Sequence, residues 1–217
     1  MSFCSVPEQA LAAAEANVCK WPAGHVFTYS IAEKLDEFSD EEYIDLCDDS
    51  WAPWEAKTAW RVQYLDQPNT NIVLTTRSID GQFGVLAEAQ LPCGNITTAS
   101  QLRMWADVGE TWVNAENPAG RMMDAKRVFI HEFGHLIGIG HINGVPAIMN
   151  PTISDIRTLK PPDIEQGELR YGDPGDTPTP DGSTPCDSLL RQCFQTDEAR
   201  KQALKSWELF KRALAAR

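Results

Sequence analysis

The stretch HEFGHLIGIGH, from His131 to His141, constrains this chain more than any other, because it holds three of the four histidines in eleven positions. His131 and His135 are four apart, so on a helix both imidazoles leave one face, one turn above the other. Two ring nitrogens so placed can reach a single ion at about 2.0–2.1 Å, the distance zinc prefers. Glu132 follows the first histidine directly and cannot share its face as a ligand. Its carboxylate can lean over an open coordination position, take a proton from metal-bound water and hand it to a leaving amine. His141, six beyond His135, would point away if the helix ran on. Gly138 lacks a Cβ, so it can adopt positive φ, end the helix and swing His141 back toward the metal. Three neutral imidazoles leave the ion its full double charge, which acidifies bound water. The plain alternative is a buried apolar helix with incidental polar residues, and it would leave several buried polar groups needing costly satisfaction.

The 217 residues suit one domain with appendages, and the 42% apolar content with seven tryptophans argues for a packed globule. A formal net charge of −12 works against nonspecific binding to nucleic acid or to anionic membrane. No apolar run approaches the length of a membrane span. The N-terminus lacks a basic start, and Glu8 and Glu15 flank its short apolar run, so it reads as a poor secretory signal. The compartment stays open between cytoplasm, a trimmed form and release without a signal. Six cysteines are compatible with three disulfides or with buried thiols, and none sits in a Cys-x-x-Cys spacing that would suggest thiolate-bound zinc.

Local patterns predict an alanine-rich helix over 7–19 and a strand over 25–31. Ser39 and Glu42 form a capping box that opens a helix running toward Trp51 and Trp54, with Pro53 as a kink or restart. Further strands are expected over 60–66, 71–77, 84–92 and 101–107, and helices over 121–137 and 160–172, the last closed by Gly172. This interspersion indicates a mixed α/β domain. The organisation expected is an N-terminal extension (1–20), a catalytic-type domain (21–171), a Pro/Gly-rich linker (172–185) and a C-terminal amphipathic helix (186–217). In that last helix Ala203, Trp207, Phe210 and Leu214 share a face, suited either to docking a partner or to packing back on the domain. His25 has no ligand spacing and reads as a surface or strand residue.

The array His131-Glu132-x-x-His135-x-x-Gly138-x-x-His141 resembles the metzincin zinc signature. Met149, in AIMNP eight residues past His141, is similar to the methionine turn of the matrixin branch. WPAGHVFTYSI, WEAKTAWRV, DGQFGVLAEAQLP, DVGETW and DIEQGELRYG resemble, in order, matrixin segments over roughly residues 20–172. The resemblance implies a zincin-like α+β fold with a twisted, mostly parallel five-stranded sheet, one antiparallel edge strand, an active-site helix and a C-terminal helix. It implies that His131, His135 and His141 bind catalytic zinc, that Glu132 is the general base and that Met149 is the turn residue. GVLAEAQ would be the edge on which an extended peptide or protein substrate pairs as an added strand.

Asp80, Asp107 and Glu110 fall where the family binds calcium; the alternative is surface acids in a very acidic protein. The animal enzymes also hold a structural zinc through histidines on a long loop and two strands. Here the loop is too short, and Glu88 and Trp105 stand at two of those positions, so that second zinc is not expected. LPCGN is similar to the cysteine segment that blocks zinc in matrixin proforms, yet Cys93 follows the edge strand and reads as a structural thiol or half-disulfide. The function implied is zinc-dependent endopeptidase. The alternatives are a non-catalytic zinc-bearing binding or structural module, and action on a non-protein amide such as a peptidoglycan cross-link.

Overall fold

The computed structural model describes residues 19–174 apart from 23 and 25. The expected helices over 7–19 and 186–217, most of the linker, His25, Cys4, Cys186 and Cys193 lie outside the described residues.

Five strands form one mixed sheet: β1 (Val26–Ile31), β2 (Arg61–Tyr64), β3 (Ile72–Arg77), β4 (Ala87–Ala89) and β5 (Leu102–Asp107), in the order β2-β1-β3-β5-β4. β1, β2, β3 and β5 run parallel, and β4 pairs antiparallel with β5 through Ala87↔Ala106 and Ala89↔Met104. The implied architecture, with its antiparallel edge, is therefore the observed one. Alternation along the strands explains why one face is the core: Phe27, Tyr29, Leu102, Met104 and Ala106 are buried, while Arg103 and Trp105 between them are more open.

Helix α1 (Asp40–Glu55) and helix α2 (Ala125–Leu136) pack on each other. Trp51 stacks on Phe133 with ring centroids 3.9 Å apart, and Trp54 Nε1 donates to the Ile130 carbonyl at 2.9 Å. The capping box opens α1 as expected, with the Glu42 carboxylate accepting Ser39 N–H at 2.8 Å and Ser39 Oγ accepting Glu42 N–H at 3.3 Å. α1 continues through Pro53 to Glu55 without a restart. Helix α3 (Pro161–Tyr171) begins with two prolines and ends at Gly172, whose φ of 76° only a residue without Cβ adopts easily.

Two boundaries differ from expectation. α2 begins at Ala125, because Met123 and Asp124 form β7, paired in parallel with β6 (Trp112–Val113) in a separate two-stranded sheet. β4 is shorter than GVLAEAQLP, because Val85 N–H turns away to the Asp80 carboxylate (2.9 Å) and Cys93 N–H closes a turn on the Leu91 carbonyl (2.8 Å). A disulfide joins Cys19 to Cys93, whereas Cys47 is a buried free thiol. No helix among the described residues is long and apolar enough to cross a membrane.

Candidate metal centre

α2 delivers His131 and His135, both fully buried, from one face. It then ends in a Schellman turn: Ile139 N–H reaches back to the Gly134 carbonyl (2.9 Å) and Gly138 N–H to that of His135 (2.8 Å). Gly138 has φ of 93°, and a Cβ there would lie 2.0 Å from the Cys19 carbonyl oxygen, so conformation and space both require glycine. The turn brings His141 to the other two. One ligand atom from each imidazole lies within 4.8 Å of the others, and among the described residues this is the only such group of three.

The second contact of each helical imidazole is defined. His131 Nδ1 lies 2.7 Å from the Ile148 carbonyl and His135 Nδ1 lies 2.7 Å from the Ile139 carbonyl. A carbonyl only accepts, so each Nδ1 carries the proton and Nε2 is the basic nitrogen, the tautomer a metal needs. Burial lowers all three imidazoles, His131 to about 3, His141 to about 4 and His135 well below its usual range. They are neutral donors at neutral pH.

Glu132 is fully buried, and neither carboxylate oxygen has a hydrogen-bond partner. Burial pushes its pKa well above the carboxylate range. An orphaned carboxyl beside three neutral imidazoles is expensive unless a polar species completes the site. A divalent cation and its water fit that requirement, and three nitrogen donors suit zinc.

Met149, fully buried, lies against α2 at Gly134. A Cβ at Gly134 would meet its sulfur at 2.3 Å, so the glycine between Phe133 and His135 is what admits the thioether under the helix. The turn bearing Met149 hangs on Asp163 of α3, whose carboxylate accepts the N–H groups of Ile148 (2.9 Å), Met149 (3.1 Å) and Lys160 (2.7 Å). Asp163 is absent from the expected site residues; its one local signal is an acid at the third position of a helix opened by proline. The segment after Met149 is fastened to the start of α2 by Arg157, which grips Asp124 with Nε at 2.6 Å and Nη2 at 3.1 Å, and by Arg127, which donates to the Ser154 carbonyl.

Asp80, Asp107 and Glu110 surround the loop before β4. Asp107 accepts the N–H groups of Ile79, Asp80, Gly81 and Gly109 at 2.8–3.3 Å, Asp80 accepts that of Val85, and Glu110 accepts that of Phe83. The second oxygen of Glu110 is buried without a partner. On the sheet face away from the helices, Glu88 forms an ion pair with Arg77, whose guanidinium sits 4.6 Å from the centre of the Trp105 ring.

The matrixin family model matches residues 20–168. Curated relatives include Metalloendoproteinase 1 of Glycine max, 26% identical over 147 residues (62% of this chain, 46% of the relative). Stromelysin-3 of Mus musculus is 33% identical over 102 residues (46% and 19%), and Matrix metalloproteinase-16 of Rattus norvegicus is 28% identical over 205 residues (82% and 33%). The chain therefore spans less than half the length of each of these relatives. The family match covers most of the chain, including the helix, glycine turn and methionine turn just described, and on that ground the chain belongs to the matrixin family.

Proposed function

We propose that the chain is a zinc-dependent endopeptidase in which His131, His135 and His141 hold the metal and Glu132 is the general base. The observation that carries this reading is the Glu132 carboxyl, buried and partnerless beside three imidazoles held in the metal-binding tautomer or lowered by burial. When bound, zinc supplies Lewis acidity toward the scissile carbonyl and lowers the pKa of water. Glu132 takes a proton from the attacking water and returns it to the departing amine; its carboxyl is buried without a protein partner, so it is left available for that transfer. The imidazoles stay in register because the Ile148 and Ile139 carbonyls hold their Nδ1 protons.

The substrate is a peptide or protein segment bound as an added strand. β4 supports this: it is the terminal strand of the sheet, and α2, which carries His131 and His135, packs against it. Backbone pairing would hold the scissile bond without demanding particular side chains. Calcium is the second cofactor proposed, at the loop before β4, on the strength of the partnerless Glu110 oxygen near Asp80 and Asp107. A rise in thermal midpoint on adding calcium, lost in Glu110→Gln, checks it.

Hydrolysis of a quenched peptide library, run with and without a chelator and beside Glu132→Ala, tests the main reading. Cleavage that survives in the alanine variant removes the assigned base. Stoichiometric zinc without turnover on any peptide would favour the non-catalytic module, and turnover of cell-wall fragments alone the non-protein amide.

A further inference from the structure

The three successive carbonyls from the last residue of α2 onward, those of Leu136, Ile137 and Gly138, are each taken by a donor from a distant part of the chain. The Leu136 carbonyl accepts Trp21 Nε1 at 2.7 Å, that of Ile137 accepts Tyr171 Oη at 2.7 Å, and that of Gly138 accepts Arg170 Nε at 2.9 Å. Tyr171 Oη also accepts the backbone N–H of Trp21 at 3.1 Å, so the segment before β1 belongs to this clamp. The same segment presses on the turn directly. The two groups nearest a Cβ at Gly138 would be the Cys19 backbone, with its oxygen at 2.0 Å, and the Pro92 side chain, at 3.3 Å. Cys19 and the residue after Pro92 are the two halves of the disulfide, 74 residues apart in sequence. The covalent link therefore closes at the point where both segments meet the turn. That turn sets two of the three imidazoles: it carries His141, and its Ile139 carbonyl orients His135.

We propose that the Cys19–Cys93 disulfide positions the ligand turn, and that its reduction weakens metal binding at the histidine triad, a redox control on metal retention. This rests on the metal reading of the triad given above. Cys19 is buried and Cys93 partly exposed, so Cys93 Sγ is the sulfur open to attack. A thiolate of a dithiol reductant bonds to Cys93 Sγ, the Cys19–Cys93 bond breaks, and Cys19 leaves as a thiolate that takes up a proton. The second thiol of the reductant then displaces Cys93, which is protonated in turn, and the reductant departs as a disulfide. Two electrons and two protons have passed to the protein. The Cys19 backbone is then no longer tied to the loop after β4, and the turn loses the fixed wall against which Gly138 packs.

Zinc affinity measured by competition with a chromophoric chelator, on the full chain before and after reduction by a dithiol that is then removed by desalting, tests this. A background with Cys4, Cys186 and Cys193 changed to serine confines the reduction to Cys19–Cys93. The expected result is affinity weaker by about tenfold or more, the scale of losing an orienting partner of a metal ligand, and recovered on reoxidation. The visible absorption of the cobalt-loaded form should weaken in parallel while the far-ultraviolet circular dichroism stays unchanged. Cys19→Ser/Cys93→Ser should show the reduced affinity whatever the redox state; should it not fold, reduction of the folded background protein decides alone. An affinity and cobalt spectrum indifferent to reduction overturn the proposal, as does loss of the circular dichroism together with the metal, which would assign the disulfide to general stability. An oxidised protein that takes up no zinc overturns the metal reading itself, a distinguishable failure.

Discussion

Asp163 carries the turn of Met149 on its carboxylate, accepting that residue's N–H on Oδ1 at 3.1 Å while Oδ2 accepts that of Ile148 at 2.9 Å. The Ile148 carbonyl in turn holds His131 Nδ1, so α3 acts on the first imidazole through one intervening peptide unit. Asp163→Ala removes three charge-assisted bonds from a buried site. With such bonds worth roughly 1.5–3 kcal/mol each and not additive, the metal-free chain should lose about 3–5 kcal/mol. Urea denaturation measures the loss, and zinc affinity should fall by about tenfold. A change under 1 kcal/mol would mean that the methionine turn holds itself.

Glu132→Gln separates binding from turnover. The metal ligands are untouched, so elemental analysis should still find zinc in the variant, while kcat falls by about 10²–10⁴. The metal-free variant should also be more stable than the parent at neutral pH, because a carboxyl whose pKa burial has raised opposes folding there. Activity near the parental level would show that some other group moves the proton.

Gly138→Ala tests the turn. Its Cβ would meet the Cys19 carbonyl oxygen at 2.0 Å on a residue with φ of 93°. The cost should exceed the roughly 1 kcal/mol expected from conformation alone, and the loss of zinc affinity should exceed the loss of stability. Equal thermal midpoints for the two metal-free proteins would contradict this geometry.

The metal-free protein should weaken as pH falls from about 6.5 toward 4. The three imidazoles titrate near 6.5 when unfolded, but in the fold His131 and His141 are lowered to about 3 and about 4, and His135 well below its usual range. The unfolded chain therefore binds more protons in this window, and stability rises with pH. Glu132 works with the opposite sign, since its raised pKa lets the fold bind the extra proton as pH climbs above 4.5. Burial also raises Glu110 and Asp163, less strongly, with the sign of Glu132, and the bonds from Ser39 lower Glu42, with the sign of the histidines; the three histidines outweigh these carboxyls. The net slope should be positive, each net proton contributing about 1.4 kcal/mol per pH unit, and steeper in Glu132→Gln. Chemical denaturation across pH 4–7 reads it directly.

What the sequence determined by itself lies within the reach of a few residues. The four-residue spacing of His131 and His135 puts two imidazoles on one helical face, and Gly138 marks the turn that returns His141. Ser39 and Glu42 announce the start of α1, Gly172 the end of α3, and the run around Ala87–Ala89 a strand. These features depend on backbone period, on caps and on the missing Cβ of glycine, all local physics. Residues 121–124 show the limit of such reading. Their pattern continues the helix that follows, yet pairing with Trp112 and Val113 draws Met123 and Asp124 into a strand, because a partner far along the chain offers their backbone groups another ladder.

Only the tertiary structure decided which distant groups complete the site. Nothing near Cys19 in the sequence selects Cys93 from the other cysteines, and nothing near Trp21, Arg170 or Tyr171 marks them as donors to the last carbonyls of α2. Asp163 likewise shows its role only when α3 lies beneath the Met149 turn. Buried backbone groups must find partners wherever the folded chain brings a donor or acceptor close, and that proximity follows from how the sheet and helices pack. Local spacing chose the ligands; packing chose what holds them still.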